Sequence, residues 1–198
     1  MMIIGITGGI GSGKSVISNE LRRLGYTVYD TDKEAKRLIM EDAHVRKQIT
    51  ELFGSEVYKD DIYQTAIVAQ QVFADKTLLA RLNGIVHPAV RHDIQNKFRS
   101  AEALECKSTL EPIFVECAIL YTAGIADMCD KVIAVTAPED IRLKRVIARD
   151  HTDIEKVRAR MRAQRTEEDL CHADIIVNND STTSISTLCQ ELVAQIKK

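Results

Sequence analysis

Residues 8 to 15 read Gly-Gly-Ile-Gly-Ser-Gly-Lys-Ser and directly follow an apolar run at 2–6. This is the G-x-x-x-x-G-K-[ST] pattern of a phosphate-binding loop, in the position that such a loop takes between a strand and a helix. Glycines let the backbone wrap closely around an anion, and the loop N–H groups and the positive end of the following helix then face the phosphates. The pattern predicts that the chain binds a nucleoside triphosphate.

Two side chains of the loop have predicted roles of their own. Lys14 can reach the β- and γ-phosphates, and Ser15 can offer its hydroxyl to Mg²⁺. We expect the nucleotide to contact the loop and the start of the next helix through Gly9, Gly11, Ser12, Gly13, Lys14, Ser15 and Val16.

The bulk properties of the chain narrow the class of protein. A length of 198 residues fits one α/β domain with a helical insertion, and a net charge of −2 argues against a general nucleic-acid or membrane-surface protein. The five cysteines form no C-x-x-C pair, which favours free thiols in a reducing cytosol. No segment reads as a signal peptide or a membrane span, so we expect a cytoplasmic protein without a membrane or nucleic-acid partner.

Hydrophobic patterning predicts an α/β fold. Short apolar runs suited to buried parallel strands occur at 2–6, 26–29, 112–116, 131–135 and 174–177. Helical spacing predicts helices at 16–24, after Pro138 and at 185–196, and a largely helical segment at 33–105 with breaks around Gly54 and at His87-Pro88. The predicted fold is a three-layer αβα P-loop sandwich with a five-stranded parallel sheet. Its core would comprise about 1–32, 108–141 and 173–198, with a helical insertion at about 33–107 and a lid at about 142–172.

Asp30 and Asp32 follow the second predicted strand, at the sheet edge where the phosphate loop also lies. If the strand continues that far, the two carboxylates point the same way. A carboxylate here can accept the proton of an attacking hydroxyl or orient Mg²⁺ through water. The alternative is that one of them caps the following helix, a role that Asp also favours.

Residues 142–165 contain nine arginines and lysines and only three acids. Arg142, Arg145 and Arg149 share one helical face, and Arg158, Arg162 and Arg165 likewise share one face. Arginines on a closing helical hairpin can stabilise the charge that spreads over a transferred phosphoryl group. The alternative is a solvated basic surface.

Two further residues are candidates with plain alternatives. Glu116 ends the third predicted strand and can lie near Mg²⁺, or it can pair with a neighbouring basic side chain. His87, next to Pro88, can contact a substrate, or it can be a buried, hydrogen-bonded histidine of a turn.

Over essentially its whole length the chain resembles the dephospho-CoA kinase family. The resemblance rests on the loop Thr7–Ser15, on Asp30-Thr31-Asp32, on Leu82 to His87-Pro88, and on Arg149-Asp150, Gln164 and Ala173-Asp174 followed by Asn178. It implies ATP-dependent phosphorylation of the ribose 3′-hydroxyl of dephospho-CoA, the last step in making coenzyme A. It further implies Asp32 as the base, the insertion as the CoA-side domain and the arginine-rich stretch as the lid. The implied site adds Arg149 as a catalytic arginine, Arg145 and Asn178 at the nucleotide, and Asp32 and His87 at the substrate.

The chain departs from the family at the third strand. Where the family commonly shows V-P-L-L followed shortly by Glu, this chain has Glu116 at the proline position and Leu120 near the usual Glu.

Two other functions are compatible with the motifs. One is a different small P-loop kinase, such as one acting on nucleoside monophosphates, and the other is a nucleotide-dependent switch without metabolic turnover. The oligomeric state expected is a monomer or a weak homo-oligomer.

Overall fold

A computed structural model describes residues 2–104, 111–164 and 170–197. Seven strands are present in these residues: β1 Ile3–Thr7, β2 Val28–Asp30, β3 Tyr58–Lys59, β4 Ile62–Tyr63, β5 Ile113–Glu116, β6 Lys131–Thr136 and β7 Ile175–Asn178. The α-helices are α1 Lys14–Arg23, α2 Thr31–Glu41, α3 Ala43–Phe53, α4 Thr65–Ala74, α5 Thr77–Leu104, α6 Glu139–Asp150, α7 Ile154–Ala163 and α8 Ile185–Ile196.

Five strands form one sheet in the order β2-β5-β1-β6-β7. Parallel pairing places Ile4 opposite Phe114 and Gly5 opposite Val132, so β1 lies at the centre of the sheet. Strands that are covered by helices on both faces carry continuous apolar runs, and for that reason the strands could be recognised in the sequence. The predicted parallel P-loop α/β fold is confirmed.

The chain divides into two compact units, residues 1–29 with 109–198, and residues 30–108. The core of the first unit lies between the sheet and its helices, with Ile4, Ile17, Phe114, Ile133 and Leu192 among its buried members. The second unit has its own core, built around Val45, Ile49 and Phe53 of α3. The predicted insertion, 33–107, lies within the second unit.

The predicted helix break at His87-Pro88 is wrong, because α5 runs without interruption from Thr77 to Leu104. Proline inside a helix removes one backbone hydrogen bond and costs about 3 kcal/mol. Four side chains at a spacing of four residues are buried on both sides of it: Val86, Val90, Ile94 and Phe98. Each such burial is worth about 1.5–3 kcal/mol, so the apolar stripe outweighs the proline and keeps the helix continuous.

The two-stranded hairpin β3–β4 was not predicted. Asp60 and Asp61 form its turn with φ of 51° and 63°, the left-handed region that a two-residue type I′ turn requires at both positions. Aspartate tolerates that conformation better than most residues. The Asp-Asp pair between Tyr58 and Tyr63 could have indicated a turn. Strands of two residues, however, are too short to show the alternation of apolar and polar side chains that would identify a hairpin.

Two bulk expectations can be compared with the structure. Cys117, Cys129, Cys171 and Cys189 are free thiols, as expected, while Cys106 lies outside the described residues. Within the described parts of the chain, no helix has both the length and the apolar character needed to cross a bilayer.

Candidate nucleotide and phosphoryl-transfer site

The glycine-rich segment forms the connection between β1, which ends at Thr7, and α1, which begins at Lys14. Gly8 has φ of +144°, and a β-carbon there would lie 2.1 Å from the carbonyl oxygen of Val135. Gly13 caps α1 in the left-handed conformation, with φ of 96° and ψ of 22°. The loop therefore follows a path that only glycine can take at these positions, and no side chain caps the N-terminus of α1 by a hydrogen bond.

Lys14 bends back over the loop. Its ammonium group donates hydrogen bonds to the carbonyl oxygen of Gly8 and, at 3.3 Å, to that of Gly9. This position puts a positive charge beside the loop, where the phosphates of a nucleotide would bind.

Ser15 and Glu116 meet at the end of the central strands. The Ser15 hydroxyl donates a hydrogen bond of 2.8 Å to Oε1 of Glu116, whose side chain is only 8 % exposed. The second carboxylate oxygen, Oε2, is buried and has no hydrogen-bond partner among the described residues. A buried, unpartnered carboxylate oxygen beside a hydroxyl supplies the hard oxygen ligands that Mg²⁺ prefers, so these residues fit the ion. The alternative for Glu116 was a neighbouring basic side chain, whereas its hydrogen-bond donor in the structure is the hydroxyl of Ser15.

Helices α6 and α7 pack against each other through Leu143, Val146 and Val157, and we call these two helices the arginine hairpin. The first two arginines of its α6 face bind carbonyl oxygens of the phosphate loop. Arg142 donates to Ile10 at 2.9 Å, and Arg145 donates to Gly11 at 3.4 Å and to Ser12 at 3.3 Å. Burial lowers the pKa of Arg142 from its usual range. These two guanidinium groups therefore hold the backbone of the loop.

Arg149, the third arginine of that face, is 64 % exposed and pairs with its neighbour Asp150 at 2.7 Å. Asp150 also forms an ion pair with Arg160 of α7, at 3.2 Å. The hydrogen bond between the pair raises the pKa of Arg149 and lowers that of Asp150. On α7, Arg158 pairs with Glu155 at 3.2 Å, while Arg165 lies outside the described residues.

Asn179, which was not predicted as a site residue, contacts the phosphate loop. Asn178 is exposed and donates to Asp180 at 2.9 Å. Asn179 is 2 % exposed, donates from Nδ2 to the carbonyl oxygen of Ser12 at 2.9 Å, and accepts from Arg145 at 3.3 Å. Nothing in the local sequence separates the two asparagines, because strand alternation is what turns one outward and the other inward.

Strand β2 ends at Asp30 and helix α2 begins at Thr31, so the strand does not continue to Asp32. The condition under which both carboxylates would point the same way from one strand is therefore not met. Asp30 caps α2 by accepting from the backbone N–H of Lys33 at 3.0 Å, the alternative that the sequence analysis kept open. Asp32 is an exposed carboxylate in the first turn of the helix.

His87 lies in the middle of the continuous α5, in the second unit, and not in a turn as the alternative had it. Its side chain is half-buried, and burial lowers the pKa of the imidazole. A neutral histidine can both donate and accept a hydrogen bond, which suits the recognition of a polar substrate group.

Comparisons with known proteins agree with one another. The family model of dephospho-CoA kinase matches residues 2–184. The dephospho-CoA kinase of Porphyromonas gingivalis is 44% identical over 173 residues, which cover 87% of this chain and 82% of that protein.

Two solved structures share the fold over nearly the full length. The crystal structure of TT1252 from Thermus thermophilus has a TM-score of 0.79 at 32% identity, covering 99% of this chain and 96% of that one. Dephospho-CoA kinase from Campylobacter jejuni has a TM-score of 0.72 at 26% identity, covering 98% and 96%. With the phosphate loop, its lysine and the Ser15–Glu116 pair in place on this fold, the chain belongs to the dephospho-CoA kinase family.

Proposed function

We propose that this protein transfers the γ-phosphoryl group of ATP to the ribose 3′-hydroxyl of dephospho-CoA, giving coenzyme A and ADP, with Asp32 as the general base. Asp32 would accept the proton of the attacking hydroxyl, and Lys14 and Arg149 would stabilise the charge on the transferred group. His87 and the helical second unit would bind the acceptor, dephospho-CoA. Family membership supports the reaction, and the exposure of Asp32 supports its availability as a base.

Binding of ATP is assigned to the loop. The phosphates would contact Gly9, Gly11, Ser12, Gly13, Lys14, Ser15 and Val16, and Arg145 and Asn178 would complete the nucleotide site. The support for this assignment is the left-handed Gly13 at the N-terminus of α1, where no side chain makes a capping hydrogen bond.

Ser15 and Glu116 would hold Mg²⁺, which when bound supplies positive charge to the β- and γ-phosphate oxygens. Asp30 has a weaker claim, because its carboxylate already caps α2. The hydrogen bond of 2.8 Å between Ser15 and Glu116, together with the unpartnered second oxygen of Glu116, is the observation that carries the phosphoryl-transfer assignment. A buried carboxylate oxygen without a hydrogen-bond partner is costly, and a bound cation would remove that cost.

The reaction is tested by measuring ADP release from ATP with a panel of acceptors. Dephospho-CoA should raise ADP release well above the rate without acceptor, and mass spectrometry should show a product heavier by one phosphoryl group. Nucleoside monophosphates serve as the comparison acceptors. Equal or greater ADP release with a nucleoside monophosphate would favour another P-loop kinase, and acceptor-independent hydrolysis alone would favour a nucleotide switch.

We also propose that the protein acts in the cytoplasm as a monomer or weak homo-oligomer, without a nucleic-acid partner. The slightly negative net charge of −2 and the free thiols support this proposal. Light scattering during gel filtration, at several protein concentrations, measures the oligomeric state directly.

A further inference from the structure

One residue of the phosphate loop, Ile10, is held by the arginine hairpin through three different groups. Its side chain packs against the hairpin cluster of Leu143, Val146 and Val157. Its carbonyl oxygen accepts from Arg142 at 2.9 Å. Its backbone N–H donates to Oε1 of Gln164 at 2.7 Å. The two hydrogen-bonding partners, Arg142 and Gln164, lie 132 and 154 positions further along the chain.

Gln164 is placed for this contact by the end of α7. It is the C-cap residue of that helix and has extended backbone angles, φ of −89° and ψ of 136°. Its side chain is half-buried against the loop. A backbone N–H in a glycine-rich loop has few local partners, so a side-chain carbonyl at 2.7 Å fixes the orientation of the whole peptide group.

We propose that Gln164 is a positioning residue that sets the conformation of the phosphate loop through the Ile10 N–H, and so links the end of α7 to nucleotide affinity. This inference rests on the proposed ATP site. The Ile10 N–H is held by Gln164, the Ser12 N–H donates to the Gly9 carbonyl oxygen at 3.1 Å, and side chains hold the carbonyl groups of Ile10, Gly11 and Ser12. The backbone of the loop is thereby fixed before the phosphates bind. Preorganised donors bind better because no ordering cost falls on the binding step.

The competing explanation is that Gln164 only ends α7 and contributes to packing. The two explanations differ in what happens at Ile10. If Gln164 positions the loop, removal of its carbonyl group exposes the Ile10 amide and weakens nucleotide binding, whereas a purely terminal role would leave that amide protected.

The experiment uses the full chain labelled with ¹⁵N-isoleucine and two substitutions at the same position. Gln164→Met keeps the size of the side chain and removes the carbonyl group, while Gln164→Glu keeps an oxygen acceptor. Gln190→Met, at an exposed position of α8, is the matched control. Hydrogen exchange of the Ile10 amide is measured without nucleotide, and ADP affinity is measured by calorimetry.

In Gln164→Met we expect the Ile10 amide to exchange about tenfold faster, in line with the loss of one hydrogen bond. The dissociation constant for ADP should rise about five- to tenfold, with the KM for the acceptor unchanged. Gln164→Glu should keep the amide protected, and Gln190→Met should match the wild type in both measurements. An Ile10 amide that stays protected in Gln164→Met, or ADP affinity that stays unchanged, would overturn the proposal. Because exchange is read without nucleotide, failure of the proposed kinase activity would show separately, as a wild-type protein that binds no ADP.

Discussion

The side-chain amide of Asn179 occupies the space that a β-carbon of Gly13 would need. A β-carbon built on Gly13 lies 2.1 Å from Nδ2 of Asn179, far inside any allowed contact. The amide is fixed there, because it donates to the Ser12 carbonyl oxygen and accepts from Arg145. The loop at the start of α1 is thus closed on one side by a residue of the last strand region.

Gly13→Ala should destabilise the protein and abolish ADP binding. Gly25→Ala is the matched control, since Gly25 has a nearly identical φ of 94° but nothing within 4 Å of its added β-carbon. Left-handed strain alone should cost about 1–2 kcal/mol in either variant. Urea unfolding measures this difference, and we expect the loss at Gly13 to exceed the loss at Gly25. Equal losses, with ADP binding retained in Gly13→Ala, would mean that Asn179 moves aside freely.

Lys14→Ala should abolish phosphoryl transfer, because the β- and γ-phosphates lose their main cationic partner. Lys47→Ala removes a lysine from an exposed pair with Glu51, 3.9 Å apart, and should leave turnover unchanged. Steady-state ADP release measures both variants. Near wild-type turnover in Lys14→Ala would exclude the P-loop kinase mechanism.

Asp32→Asn should lower turnover by about 10²-fold or more, with little change in ATP affinity, because it removes the proton acceptor and keeps the shape. Asp30→Asn should have a smaller effect, since asparagine caps a helix as well as aspartate does. Asp30→Ala should instead cost about 1 kcal/mol of stability through loss of the cap to Lys33. Kinetics combined with thermal melting separates the two roles. If Asp30→Asn were the more damaging substitution, the base would have been misassigned.

Glu116→Gln should raise the Mg²⁺ concentration required for half-maximal turnover by about tenfold, because a neutral amide binds the ion more weakly than a carboxylate. Mn²⁺ binding to the ADP complex, followed by electron paramagnetic resonance, is a readout independent of turnover. Glu51→Gln, at an exposed acid, is the control. Unchanged Mn²⁺ affinity in Glu116→Gln would remove Glu116 from the metal site.

Arg149→Ala should lower turnover by roughly 10- to 10³-fold and leave the melting temperature nearly unchanged, since an exposed arginine pair adds little stability. Arg145→Ala should behave differently, because Arg145 binds the Gly11 and Ser12 carbonyl oxygens and Ser181. We expect a lower melting temperature and a higher dissociation constant for ADP. An Arg149→Ala enzyme with normal kinetics would leave the pair with Asp150 as a surface feature.

The parallel sheet could be predicted because its strands are buried apolar runs, and the phosphate loop because its pattern is specific. The continuity of α5 could not, since the local effect of Pro88 is reversed by a buried stripe that forms only when the second unit packs. The short hairpin turning at Asp60-Asp61 gave too brief a signal.

Of the candidate site, the loop residues followed from sequence, and the assignment of roles to Asp32, Arg149 and His87 remains a prediction. The contacts that brace the loop were beyond sequence reasoning. Asn179 and Gln164 reach the loop from 167 and 154 positions away, and polar residues in irregular segments have no periodicity that shows which way they face. Which of Asn178 and Asn179 faces inward depends on where β7 ends, and the structure places that end at Asn178.

The order of strands in the sheet has a consequence for how the chain folds. Strands β2 and β5 are neighbours, yet roughly 80 residues, most of the second unit, lie between them in the chain. Closing a longer loop adds only about 0.6 kcal/mol for each doubling of its length, so the final stability of the sheet suffers little. Contacts between residues distant in sequence do slow folding, however. Substitutions confined to the second unit are therefore expected to change the rate at which β2 pairs with β5 more than the stability of the folded sheet.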